Sequence, residues 1–276
     1  MSRSKRFFSL VFLVLTAVPL SAGEDLFETG VNALHWKDYH FAVACLNEVI
    51  QKDSKNVKAY NFRALAYLGR AKWADAIKDF GEVIRLDPKF PDVYLNRGHA
   101  YFGKKDYEKA IADLTAAIQF APGDSRIYAV RGNALLQCKN REKALIDFNE
   151  AIRLDVKGPQ AFIGRGDVFA QQKQCDKALK EFSEAIRLDP KNYDAYEKRS
   201  NVYQAIGDQD KATKDILKYL ELRPDIPYLL PVGDFYWLHF WPSLPSGNSL
   251  PRGIDPDVFK ALGNMDDDPQ DPENIN

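Results

Sequence analysis

The sequence predicts an all-α solenoid of tandem helix-turn-helix repeats, followed by an irregular aromatic C-terminal segment. Three observations predict it. The phrase Ala-Ile-Arg-Leu-Asp starting at Ala151 recurs at Ala185, with variants at Val83 and Ala117, always 34 residues apart. Self-similarity at a fixed period of this length marks a solenoid. Each period holds two stretches with apolar or small residues at i, i+4, i+7, which is the spacing of one helix face: Tyr94, Gly98 and Tyr101, then Ala110, Leu114 and Ala117 in the third period. A short turn such as Lys104-Lys-Asp106 separates the two, and a proline such as Pro122 ends the period.

Before the repeats stands a leader. Arg3, Lys5 and Arg6 precede fourteen uncharged residues, Phe7 to Leu20, and the small residues Ser21, Ala22 and Gly23 follow. This is the order of a secretory signal peptide, with cleavage expected near Ala22 or Gly23. The apolar run is shorter than the roughly 20 residues a spanning helix needs. Residues 1–22 are therefore read as a signal peptide, and the bacterial periplasm as the destination, with secretion as the alternative.

Six repeats run without insertion: 23–56, 57–90, 91–124, 125–158, 159–192 and 193–226. A large residue comes early in the first helix (Tyr60, Tyr94, Tyr128, Phe162, Tyr196) and a small one four positions later (Ala64, Gly98, Gly132, Gly166, Ser200). Ala opens the packed face of every second helix (Ala42, Ala76, Ala110, Ala144, Ala178, Ala212), and Pro88, Pro122, Pro190 and Pro224 close four repeats. Rings set against small residues let helices approach closely. These residues resemble the tetratricopeptide repeat over about three quarters of the chain. The resemblance implies a right-handed superhelix whose first helices line a concave groove for a protein or peptide partner. Tyr219 replaces the Ala or Val of other repeats, so the array is expected to stop there.

A second pattern runs through five repeats. Arg63, Arg97, Arg131, Arg165 and Arg199 hold one first-helix position, and Asp79, Asp113, Asp147, Glu181 and Asp215 hold one second-helix position. The first repeat has Thr29 and Cys45 and so lacks both members together. A ladder of guanidinium-carboxylate pairs is expected, because Arg can donate two parallel hydrogen bonds to one carboxylate. An anion-binding row is the other reading.

Composition and motifs exclude most chemistry. The 38 basic and 39 acidic side chains nearly cancel, which argues against a nucleic-acid or anionic-membrane coat. His35, His40, His99 and His239 have no metal-ligand spacing, and no nucleophile elbow, phosphate loop or dinucleotide fingerprint occurs. No cofactor, metal or catalysis is expected, and any membrane contact would come through an uncleaved leader. Cys138 and Cys175 fall near turns of neighbouring repeats and are expected as free thiols, with a disulfide as the lesser reading.

Function is therefore expected on the surface. The face that the resemblance assigns to the groove carries Phe62, Leu65, Leu68, Leu95, Phe102, Val130, Leu136 and Ile163, interleaved with His99 and Asn133. Exposed apolar strips mark interaction surfaces, although some of these side chains could instead pack between repeats. The carboxylate clamp of chaperone-binding relatives is absent, since Ala129, Gly164 and Asp194 stand at its positions. The leading reading is an exported, non-catalytic adaptor. The alternative is a ligand-binding or regulatory subunit of a cell-envelope enzyme complex that uses the C-terminal segment.

That segment, 227–265, holds the block Phe235, Tyr236, Trp237, Leu238, Phe240 and Trp241 between Pro231 and Pro242. Phe235, Trp237 and Trp241 are read as a cap on the last repeat; occupation of the groove and docking on a separate molecule are the alternatives. Residues 266–276, rich in Asp, read as a disordered acidic tail.

Overall fold

In the computed structural model the described residues are 25–90 and 92–223. The expected leader, cap segment and acidic tail lie outside them. The described residues form twelve α-helices and no strand, in six consecutive pairs. These are α1 (Leu26–His35) with α2 (Tyr39–Lys52), α3 (Val57–Gly69) with α4 (Trp73–Leu86), and α5 (Val93–Gly103) with α6 (Tyr107–Phe120). The next three are α7 (Ser125–Gln137) with α8 (Arg141–Leu154), α9 (Pro159–Gln171) with α10 (Cys175–Leu188), and α11 (Tyr193–Ala205) with α12 (Gln209–Leu222).

The turn inside each pair has one recurrent conformation. Lys37, Ala71, Lys105, Lys139 and Lys173 take φ between 53° and 66°, and Gly207 takes 82°. Only the sixth turn uses the residue that tolerates this region freely; each of the others bears a strain of about 1 kcal/mol. Backbone bonds hold it: Lys105 N donates to Phe102 O and Asp106 N to Tyr101 O, both at 2.9 Å. The following residue often starts the next helix, as when Asp38 Oδ1 accepts from Phe41 N at 3.0 Å.

The chain divides into two compact units after Lys143, near the start of α8. In the first unit each helix from α1 to α7 packs on the next, and α1, α3, α5 and α7 also touch in succession. Its core is built from the repeat signature: Ala42, Ala76 and Ala110 are fully buried, as are Leu46, Phe80 and Leu114. The small first-helix residues exist for these side chains. A Cβ on Gly98 would lie 2.8 Å from Leu114 Cγ, so nothing larger than Gly fits there without displacing the leucine. Across repeats, the Trp73 ring lies against Gly103 in the same way.

In the second unit α9 packs on α10, α10 on α11, α11 on α12, and α9 also touches α11. Ala144, Ala178, Ala212, Phe148 and Phe182 are buried, and the Phe182 ring occupies the space that a Cβ on Gly166 would need. Two glycines of α9 serve this packing, since a Cβ on Gly164 would collide with Phe148. Gly164 and Gly166 thus act together as a helix-packing device.

Candidate functional site

The ladder fixes the helices that carry the candidate face. Arg63 Nη2 and Nε donate to the two Asp79 oxygens, each at 2.7 Å. Arg97 holds Asp113 at 2.6 and 2.7 Å, and Arg199 holds Asp215 at 2.7 and 2.8 Å. Glu181 is one methylene longer, and both of its oxygens accept from Nη2 of Arg165, leaving Arg165 Nε buried without a partner. Hydrogen bonding to Asp113 and Asp215 raises the pKa of Arg97 and Arg199. Asp79 is pushed up by burial, against the pull of Arg63. In the first repeat, Thr29 Oγ1 donates instead to Asp25 O, and burial followed by Glu48 raises the Cys45 thiol.

Two features of the ladder escaped the sequence reading. Each guanidinium lies over an aromatic ring of its own helix, and three lie over two: Arg63 over Tyr60 and Tyr67, Arg97 over Tyr94 and Tyr101, Arg199 over Tyr196 and Tyr203, with Arg131 over Tyr128 and Arg165 over Phe162. The rings are at i−3 and i+4, a spacing that could have revealed them. The remaining nitrogen reaches back sixteen residues to the preceding repeat: Arg63 to Asn47, Arg131 to Thr115, Arg165 to Asn149, Arg199 to Ser183. For Arg97 the residue sixteen back is Gly81, which has no side chain to accept and where a Cβ would meet nothing within 4 Å. Asp147 is buried.

On this frame the first unit displays the candidate face. Phe62, Leu65 and Leu68 of α3, Phe102 of α5 and Val130 of α7 are partly exposed, with Asn133 beside them. Phe62 meets Phe27 edge to face at 5.6 Å, and Phe102 meets Tyr107 likewise at 5.4 Å. Leu65 and Leu68 rest on the buried cluster around Phe80 and Val83. Leu95 and Leu136 do not line this face. They are 3% and 5% exposed, and Leu95 packs among Ala110, Leu114 and Ile127, because its place on α5 points between repeats.

His99 is open to water yet walled by protein. Burial, then Arg126, pushes its imidazole below the ordinary value, so it is neutral at pH 7. Asn61, by contrast, is buried, and its Oδ1 has no hydrogen-bond partner. The named residues of this face are therefore apolar or uncharged, with the exposed Arg126 near His99.

The second unit differs. Ile163 is partly buried against the clusters around Phe162 and Phe182. Asp167 of α9 accepts from Lys198 Nζ of α11 at 2.8 Å, and burial raises its carboxyl despite that lysine. Residues 167 and 198 are out of the repeat register, so periodicity gave no sign of this pair. Among the described residues no cluster of His, Cys, Asp and Glu could hold a metal, and no helix is long and apolar enough to cross a membrane. The three cysteines are free thiols, Cys45 buried and Cys138 exposed.

Models of the tetratricopeptide repeat match residues 62–125, 125–155 and 193–226, and a further model described as TPR repeat matches 166–207, together spanning more than half of the chain. The chain belongs to the tetratricopeptide repeat family. Solved structures agree on the fold. PilF of Pseudomonas aeruginosa is 20% identical over 72% of this chain and 90% of its own, with a TM-score of 0.60. A tetratricopeptide repeat protein of Parabacteroides merdae is 20% identical over 73% of this chain and 84% of its own, TM-score 0.60. The thermophilic TPR protein TTC0263 of Thermus thermophilus is 17% identical over 65% and 97%, TM-score 0.55. No curated relative matches the sequence. This tetratricopeptide repeat fold is that of a protein-interaction scaffold, typically without catalytic activity.

Proposed function

We propose that the chain is an exported, non-catalytic adaptor that binds a protein or peptide along the first-helix face of its first unit. The observation that carries the reading is the row Phe62, Leu65, Leu68, Phe102 and Val130, partly exposed on successive first helices, with neutral His99 and Asn133 among them and no charged side chain at these positions. Such a face suits the apolar side of a helical or extended segment, with amides and imidazole meeting its polar atoms.

The test is selection of displayed peptides on the immobilised chain starting at Gly23, repeated with Phe102→Asp. Enrichment of apolar peptides that is lost in the variant supports the reading; enrichment indifferent to Phe102 sinks it. Export rests on the Arg3 to Gly23 pattern. Fractionation of expressing bacteria and sequencing of the mature N-terminus decide it, and an uncleaved chain in the cytosol counts against export.

A further inference from the structure

We propose that the outer face of α12 is a docking surface for residues 235–241 of the same chain. The position two residues beyond the ladder's second-helix position is Asn47, Gly81, Thr115, Asn149 and Ser183 in the first five repeats. At four of these the side-chain oxygen accepts from the arginine of the following repeat, at 2.7 to 3.2 Å. In the sixth repeat the same position is Leu217, which is 44% exposed. An acceptor built for an incoming guanidinium has been replaced by an apolar side chain.

Neighbouring positions change in the same sense. Phe80, Leu114, Phe148 and Phe182 are at most 1% exposed, whereas Ile216, their counterpart on α12, is only partly buried. Val83, Ala117, Ala151 and Ala185 are buried small residues, and their counterpart is Tyr219. Tyr219 is partly covered by Tyr193, with ring centroids 6.2 Å apart, and by the Arg223 guanidinium 5.3 Å from its ring. Ile216, Leu217, Tyr219 and Leu220 thus form an apolar face that would leave the arginine of another repeat without its backward partner.

The downstream sequence suits that face. Residues 224–251 contain no Lys or Arg, and the block Phe235, Tyr236, Trp237, Leu238, Phe240, Trp241 lies within them. It brings no cation to desolvate and ample aromatic surface to bury. The tether also suffices. The eleven residues between Arg223 and Phe235 reach up to about 40 Å when extended, and α12 is about 21 Å long.

Chymotrypsin digestion of the full-length chain tests this, read by mass for cuts between Phe235 and Trp241. The parent should resist there, and Leu217→Asn, which restores an acceptor and removes the apolar contact, should be cut about tenfold faster with its helical signal unchanged. Ile206→Asn, at an exposed turn, should leave the rate alone. Equal cutting of the parent and Leu217→Asn overturns the proposal, as does protection that fades on dilution with a halving of mass, which would place a second copy on the face. If Leu217→Asn loses helicity, Trp237→Ser with Trp241→Ser gives the answer from the segment's side: a melting temperature lower by several degrees supports docking, and an unchanged one overturns it.

Discussion

Arg199 donates through Nη1 to Ser183 Oγ at 3.0 Å, sixteen residues back, while its Nε and Nη2 hold Asp215 sixteen residues ahead. One side chain therefore ties two helix pairs together, by a bidentate ion pair within its own repeat and a hydrogen bond to a neutral acceptor in the preceding one. The geometry recurs at Arg63; at Arg165 the backward bond to Asn149 is kept, but the longer Glu181 is held through Nη2 alone.

The ladder should matter for stability through the partner it protects. Asp79 is 3% exposed at its side chain beside an Arg63 that is 16% exposed. Arg63→Ala should cost about 3 kcal/mol or more by leaving that carboxylate buried and unpaired, while Arg63→Met with Asp79→Leu should come close to neutral. Denaturant melts of both and of Asp79→Leu alone give the coupling. A value below about 0.5 kcal/mol would put the pair in the class of solvated surface bridges.

Gly81 is the gap in the backward row. Gly81→Ser gives Arg97 an acceptor in open space and should stabilise by about 1 kcal/mol. Comparison with Gly81→Ala isolates the bond, since Ala alone is the better helix former by about 0.5 kcal/mol. If Ala gains more than Ser, Arg97 does not reach back as its sister residues do.

The two classes of leucine on the first helices should part under one substitution. Leu68→Asp should reduce peptide capture while leaving most of the melting temperature, whereas Leu95→Asp, at a 3% exposed site, should cost about 4 kcal/mol or more. Thermal melts alongside the peptide selection check both. Equal loss of stability in the two would make Leu68 a core residue.

His99 should make stability depend on pH in a defined direction. Its folded pKa lies below the unfolded value, so the unfolded chain binds the extra proton first. The contribution is complete above the unfolded pKa and declines as pH falls from about 6.5 toward the folded value. His99→Gln should flatten the curve over that interval and leave it unchanged above about pH 7.5. NMR titration of the imidazole supplies the second check, and a pKa above that of free histidine would contradict the structure.

The sequence by itself determined the repeat. A period of 34 with Ala110, Gly98 and Leu114 at fixed offsets forces two helices to meet at small residues. The joint presence of Arg63 with Asp79 and of Arg199 with Asp215 announced the ladder, because a buried charge is retained only with its counter-charge. Tertiary structure decided what periodicity cannot encode. Leu65 and Leu95 look alike along the chain, yet only packing between neighbouring repeats buries Leu95 and leaves Leu65 partly open. The bond from Arg199 to Ser183 and the pair Asp167–Lys198 join residues of different repeats, and the second keeps no fixed offset. Local propensity records which face of a helix is apolar; how far a neighbour covers that face depends on the docking of the next helix.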